Sequence, residues 1–392
     1  MKHVIIGNGV AGTEAAMSIR GANENAEITI ISESPHLFYY RPKLIDYLAG
    51  EASLDSFTMY KMERYNDKNI QLVLNTRIDS IEPGNRQVTT ASGEKYPYDR
   101  LLLATGGVSF VPPIDGTDRN GVFVFRNVAD ADAVITHSQK HSSFVIIGGG
   151  LLGLETANSL LKRGCTVTVV EYLDRILPRQ LDTDGSSMLK KMLEEKGITF
   201  VLNDSVRSIE GDGPVTGVRL ESGTSINAEG VVISSGIRPR MELAEQAGLD
   251  INRGILVNDY LQTSDDNIYA AGDPVEHGGK MYGIWPASRE QGKIAGRNMA
   301  GEMVKYEGTP MSVMLKVTGI DLYSAGDFEN SVAESVVSAD KNAYRKFLYN
   351  RDMPVSAIVL GDTDAIRVAR KVIEGKAEKD EFLKYFKEQH LK

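Results

Sequence analysis

The chain opens on a short β-branched run, Met1-Lys2-His3-Val4-Ile5-Ile6, that leads straight into Gly7-Asn8-Gly9-Val10-Ala11-Gly12. Small residues at helical spacing follow. A second apolar run, Ile28-Thr29-Ile30-Ile31, then closes on Ser32 and Glu33. Strand, G-x-G-x-x-G turn, helix, strand and acid in that order make a βαβ unit with the dinucleotide fingerprint. Each glycine has a physical task. Gly7 permits the tight turn out of the strand, Gly9 lets the backbone approach a pyrophosphate, and Gly12 lets the helix pack close to the strand. The helix N-terminus offers N–H groups and a positive dipole end to phosphate. Glu33 stands about 20 residues beyond Gly12, where an acid bonds the ribose hydroxyls.

The pattern recurs. Ser143-Phe144-Val145-Ile146-Ile147 leads into Gly148-Gly149-Gly150-Leu151-Leu152-Gly153, and Leu154-Glu155-Thr156-Ala157 continues as a helix. The strand from Gly164 to Val170 closes on Glu171. Two complete fingerprints imply two bound dinucleotides, one per domain. An acid at 171 suits the free 2′-hydroxyl of NADH and repels the 2′-phosphate of NADPH, while Arg175 nearby opposes that preference.

At 392 residues the chain is long enough for two or three domains. It carries 42% hydrophobic and 25% charged residues and a net charge of −9. With no basic run, nucleic acid is not an expected partner. No apolar stretch reaches membrane-spanning length, and the chain starts directly on a strand, which leaves no room for a signal peptide. A single cysteine, Cys165, excludes an internal disulfide or a cysteine metal cluster, and no metal site is expected. These features point to the cytoplasm. Cys165 sits at the start of an apolar strand and suits a small buried hydrophobe.

Between and after the two units lie further signals. Phe38-Tyr39-Tyr40-Arg41-Pro42-Lys43-Leu44 puts two cations in a loop, and Pro42 biases Arg41 towards an extended backbone. Arg41 and Lys43 suit either a solvated turn or contact with phosphate or an electron-rich ring. Turn-rich stretches at 70–98 and 199–229 read as antiparallel strands that interrupt the doubly wound pattern. Leu101-Leu102-Leu103-Ala104-Thr105-Gly106 and Val231-Val232-Ile233-Ser234-Ser235-Gly236 are buried strands with small-residue ends. Residues 111–116 read as a linker. Ile268-Tyr269-Ala270-Ala271-Gly272-Asp273 brings a carboxylate to the end of another strand. Trp285-Pro286-Ala287 opens a helix, with Trp285 either in the core or beside a ring system. Beyond 308 the strands at 314–317, 347–349 and 355–360 and charged helices from 366 to 392 describe a small α+β domain.

Together these segments resemble, across the whole length, the FAD-dependent pyridine nucleotide-disulfide oxidoreductase-type flavoproteins. Tyr40-Arg41-Pro42-Lys43-Leu44 is similar to the R-P-x-L segment of NADH:rubredoxin reductases. Residues 315–327 resemble their C-terminal domain and the FAD-binding part of assimilatory NADH–nitrite reductase. The ferredoxin and rubredoxin reductases more widely carry R-P-P-L-S-K here, whereas in this sequence the lysine stands at 43 and no S-K follows it. The resemblance implies an α/β fold with two Rossmann-like, glutathione reductase-like domains and a small α+β C-terminal domain. An FAD domain would be split over 1–109 and 236–307, an NADH domain would occupy 110–235, and 308–392 would form the C-terminal domain covering one edge of the flavin.

By the same resemblance, Gly7, Gly9, Val10, Ala11, Gly12, Glu33 and Ser34 would hold the adenosine and pyrophosphate of FAD. Arg41, Pro42, Lys43, Ile78, Ala104, Thr105, Gly106, Gly272, Asp273 and Trp285 would complete that site, with Asp273 on the ribityl chain. Gly148, Gly150, Leu152, Gly153, Glu155 and Glu171 would hold NADH, with Glu155 near the nicotinamide. No side chain need act as acid or base, because the hydride passes between cofactors. The family's disulfide and peroxide reductases need cysteines beside the flavin, and this sequence has none there. The expected activity is therefore electron transfer from NADH through FAD to a small carrier, rubredoxin first. The diaphorase part of a nitrite reductase-type system, an NADH oxidase and an FAD/NADH-binding redox sensor are the alternatives. The oligomeric state is left open, a homodimer included.

Overall fold

The computed structural model describes residues 1–309, 312–317, 319–328, 334–350 and 353–376. The chain divides into two units. One comprises Met1–Lys43, Ala52–Val108 and Ile237–Pro310; the other comprises Leu44–Glu51, Ser109–Gly236 and Met311–Lys392.

The first unit is built on a five-stranded parallel sheet. Its central strand is β1 (Lys2–Ile6), flanked by β2 (Glu27–Ile31) and then Ile70–Val73 on one side, and by Arg100–Leu103 and then Ile268–Ala270 on the other. Alternation along these strands sends Ile5, Ile30 and Leu102 to one face and Val4, Ile6, Leu101 and Leu103 to the opposite face. The first face is covered by helix α1 (Val10–Ala22) and the helix Trp285–Met299. The second face is covered by the antiparallel strands Ile78–Glu82, Gln87–Thr90 and Lys95–Pro97. The two helices approach closely because one is lined with alanine and the other with glycine. A Cβ on Gly292 or Gly296 would come within 2.3 or 2.4 Å of the carbonyl oxygens of Ala11 and Ala15.

The second unit repeats the plan. Its parallel sheet runs Ile198–Leu202, Thr166–Glu171, Ser143–Ile147, Gly230–Ile233, Val122–Val124, with the fingerprint strand again in the centre. One face packs on Val206–Glu210, Gly217–Leu220 and Ser225–Asn227, which form an antiparallel sheet. Helix Leu151–Lys162 packs on the Ser143–Ile147 strand and also against the short helix α2 (Leu44–Ala49). Ser159 Oγ donates to the Ile45 carbonyl at 3.0 Å, Arg163 Nη1 to that of Leu48 at 3.0 Å, and Tyr47 Oη to Asp132 at 2.7 Å.

The antiparallel stretches expected at 70–98 and 199–229 begin one strand too early. Ile70–Val73 and Ile198–Leu202 are parallel edge strands of the main sheets. Each follows a helix (Met62–Asp67 and Thr183–Glu194) and returns to the sheet by a crossover, which a parallel strand requires.

The C-terminal segment is a five-stranded antiparallel sheet in the order Ser312–Val317, Ile320–Ala325, Met353–Leu360, Tyr344–Asn350, Glu334–Ala339. Helix Thr363–Ile373 lays Ile366, Ala369 and Val372 on Tyr323, Phe347 and Val359. Two strands, Ile320–Ala325 and Glu334–Ala339, were not marked by the sequence pattern. Tyr344 Oη and Lys346 Nζ both donate to Asp182 Oδ2 at 2.7 Å, and Asp182 also caps the Thr183–Glu194 helix. Thr318 and the charged stretch 377–392 lie outside the described residues. Among the described residues no helix is long and apolar enough to cross a membrane.

Candidate functional site

Each unit carries one fingerprint turn at the carboxyl edge of its parallel sheet, and the two turns share one design. Gly7 and Gly148 both adopt φ +114°, and a Cβ there would lie 2.2 Å from the Ala104 carbonyl oxygen or 2.5 Å from that of Ser234. A Cβ on Gly12 or Gly153 would lie 2.0 or 2.1 Å from the carbonyl oxygen of Gly7 or Gly148. The middle glycines differ. A Cβ on Gly9 or Gly150 would meet nothing within 4 Å, so the backbone there faces open space. The outer glycines are thus explained by packing within the protein, whereas the middle ones leave room for an incoming group.

The helix termini leave the same room, although other helices such as Trp285–Met299 also start without a side-chain cap. Gly9 and Gly150 are the N-caps of α1 and Leu151–Lys162, and among the described residues no side chain caps either helix. Val128–Ser138, Thr183–Glu194 and Thr363–Ile373 are capped by Asn127, Asp182 and Asp362. Uncapped first-turn N–H groups at a positive dipole end, open to space, fit a pyrophosphate. Val10 and Ala11 open the first cradle and Leu152 lies in the first turn of the second.

Around the first cradle, Glu33 follows β2, and its Oε2 accepts from Arg240 Nη1 at 2.6 Å. Ser34 Oγ accepts from the His36 N–H at 3.2 Å. Ala104 donates its N–H to Ile6, Thr105 Oγ1 donates to the Arg240 carbonyl at 2.9 Å, and the Gly106 carbonyl accepts from the Arg240 N–H at 3.0 Å. Gly272 lies at φ +93° with its N–H on Gln291 Oε1 at 2.8 Å, and Ser288 Oγ donates to Asp273 at 3.3 Å. Both partners come from the Trp285–Met299 helix, which therefore holds the Gly-Asp turn in place. Trp285 is half-buried and meets Tyr40 edge-on at 5.0 Å between ring centroids. Ile78 is buried in the core under the sheet.

Arg41, Pro42 and Lys43 are exposed. Arg41 is not extended as the following proline favours: Arg41–Lys43 form a 3₁₀ turn closed by the Lys43 N–H on the Tyr40 carbonyl at 2.9 Å. Pro42 fits there because α2 starts at Leu44, and a proline at the entry of a helix gives up no bond.

In the second cradle Glu171 is buried, 9% exposed, and both its oxygens are engaged. Oε2 accepts from the Gly149 N–H at 2.6 Å and Oε1 from the Leu173 N–H at 2.9 Å. Arg175 pairs with Asp174 at 3.0 Å. Glu155 lies one turn into the helix. Burial, with Asp46 of α2 adding like charge, pushes its carboxyl up to about 7.

Two contributors were not foreseen from the sequence. Asn8, the variable position of the first fingerprint, is buried and accepts from Thr13 Oγ1 at 3.1 Å and Tyr65 Oη at 3.0 Å, fixing the loop to the helix. Arg240 stands four residues past Gly236, the end of the apolar run, and nothing in its spacing marks it.

The sequence and the fold both match known proteins. Residues 1–292 match the family described as pyridine nucleotide-disulphide oxidoreductase, and residues 310–377 match the rubredoxin NAD+ reductase C-terminal domain. The chain is 39% identical over 365 residues to a nitrite reductase [NAD(P)H] of Bacillus subtilis, covering 92% of this chain and 45% of that protein. It is 32% identical over 374 residues to an NADH-rubredoxin oxidoreductase of Clostridium acetobutylicum, covering 95% and 94%. Among solved structures, a covalent putidaredoxin reductase–putidaredoxin complex superposes with TM-score 0.86 at 27% identity, covering 96% of this chain and 93% of that one. The chain thus spans about half the length of its nitrite reductase relative.

Proposed function

The chain belongs to the pyridine nucleotide-disulphide oxidoreductase family, and from that premise we propose that it takes electrons from NADH through bound FAD and delivers them to a small one-electron carrier protein, rubredoxin first. It is an oxidoreductase, and FAD and NADH are its cofactors. FAD, when bound, accepts a hydride from NADH and gives the electrons up singly. The chain's own residues bind and orient. The Gly9 backbone and the N-terminus of α1 hold the FAD pyrophosphate, Glu33 the ribose, and Asp273, steadied by Ser288, the ribityl chain. Gly150 and the N-terminus of Leu151–Lys162 hold the NADH pyrophosphate, and Glu171 its adenosine ribose. Glu155 stands near the nicotinamide. FAD belongs to 1–109 with 236–307, NADH to 110–235, and the protein works in the cytoplasm.

The observation that carries this reading is the matched pair of open, uncapped glycine cradles, each with an acid at the end of the next strand. The thiol count supports electrons leaving the flavin directly, to a partner or to oxygen, rather than through a protein thiol. Cys165, the one cysteine of the sequence, is buried with 5% exposure beside the Arg163–His141 region and has its thiol pushed up by burial. A buried, protonated thiol takes no part in relaying electrons. A second reading, the electron-input half of a nitrite reductase-type system, is favoured by the 39% identity to the Bacillus subtilis protein. Acceptor profiling of the purified, FAD-loaded protein tests both. NADH-driven reduction of rubredoxin well above that of oxygen supports the first. Turnover with artificial acceptors but with neither rubredoxin nor ferredoxin points to the second.

A further inference from the structure

Glu33 and Arg240 stand 207 positions apart in sequence and meet at 2.6 Å. Both side chains are about half exposed, 53% and 42%. An exposed pair of this kind adds little to stability, so folding does not explain it well. The backbone of Arg240 is held more firmly than its side chain requires. Its N–H donates to the Gly106 carbonyl at 3.0 Å, and its carbonyl accepts from Thr105 Oγ1 at 2.9 Å. Thr105 and Gly106 continue the strand end whose Ala104 carbonyl walls Gly7. Arg240 is therefore anchored to the rim of the first glycine cradle, and its guanidinium reaches the acid at the end of β2.

Resting on the FAD assignment made above, we propose that Arg240 is a positioning residue for the adenosine diphosphate half of FAD. It steers Glu33 and offsets its charge. A carboxylate has about four lone-pair sites. The guanidinium occupies Oε2 and leaves Oε1 for the ribose hydroxyls. The same contact cancels the negative charge that Glu33 would otherwise set against a doubly anionic pyrophosphate at the neighbouring helix N-terminus. A lysine keeps the charge but not the planar fork.

The test uses the full chain stripped of flavin, titrated separately with FAD and with ADP, with binding read by flavin fluorescence quenching and by calorimetry. R240Q is expected to weaken both ligands by about tenfold, and R240K by less. In an E33Q background R240Q should add no more than about twofold, since its partner is gone. Circular dichroism and the melting temperature of the ligand-free protein should stay close to the parent. FAD and ADP affinities within twofold of the parent in a folded R240Q protein, or full additivity with E33Q, overturn the role of Arg240 while leaving the FAD site standing. Failure of the parent chain to bind FAD overturns both.

Discussion

Glu155 carries a carboxyl raised to about 7 by burial and by Asp46. The folded state thus holds its proton more tightly than the unfolded chain does. Its contribution is present in full below the ordinary glutamate range, falls as pH rises from there through about 7, and is lost above. Because the side chain is only half-buried, the effect is about 1–2 kcal/mol rather than the full shift. Glu155→Gln should therefore leave the melting temperature of the nucleotide-free protein unchanged near pH 4.5 and raise it near pH 8; an equal shift at both values refutes the assignment. Glu171 makes a different prediction, because its oxygens are already held by the Gly149 and Leu173 N–H groups. Glu171→Ala removes both the proposed ribose acceptor and the brace of the turn. The NADH KM should rise by about tenfold or more, consistent with 1–3 kcal/mol for lost charged hydrogen bonds, and the preference for NADH over NADPH should narrow. Equal kcat/KM for the two nucleotides in the unmodified protein would contradict this role. Cys165 is expected to be silent: Cys165→Ser buries a hydroxyl and costs about 1–3 kcal/mol, seen as a lower melting temperature with NADH-to-acceptor turnover retained.

The helix pair α1 and Trp285–Met299 rests on backbone contact, with Gly292 and Gly296 against Ala11 and Ala15. Gly296→Val would drive a side chain onto the Ala15 carbonyl, and overpacking of this order costs about 1–3 kcal/mol or more. Since the same helix holds the Gly272–Asp273 turn through Gln291 and Ser288, the variant should also release FAD more readily. This is measured as flavin lost on gel filtration, and retention equal to the parent would argue against the coupling. These contacts show what the sequence discloses and what it hides. The doubly wound sheets were legible because strand, glycine turn, helix and strand follow one another within about 30 residues. Ile320–Ala325 and Glu334–Ala339 were not, because polar residues interrupt their apolar positions, although each pairs with a neighbouring strand across a short turn. At the first cradle the glycines were legible from local spacing, whereas Asn8 and Arg240 acquire their roles from contacts with Tyr65 and Glu33 that no local pattern encodes. The parallel pairing of Ile70–Val73 and Ile198–Leu202 was hidden for the same reason: a short apolar run reads alike in either orientation.

The whole chain carries a net charge of −9, and the proposed acceptor must find its way to a flavoprotein that repels acidic partners at long range. Any productive encounter therefore depends on a local patch of the opposite sign. Arg41 and Lys43 are exposed on the 3₁₀ turn beside Tyr40, which in turn meets Trp285. Attraction between such a patch and an acidic carrier is screened within about 8 Å at physiological salt, so it acts on the encounter rate more than on the chemistry. Reduction of rubredoxin by NADH at limiting carrier should thus fall several-fold between low and roughly 0.5 M salt. Reduction of a small uncharged quinone by the same preparation should hardly change. The two curves separate the steps, since the quinone reports NADH oxidation and flavin turnover without protein docking. Parallel loss of both activities would place the salt effect on NADH or FAD binding instead. A carrier rate indifferent to salt would mean that the partner docks through apolar contacts, and oxygen consumption matching or exceeding rubredoxin reduction would make the protein an NADH oxidase.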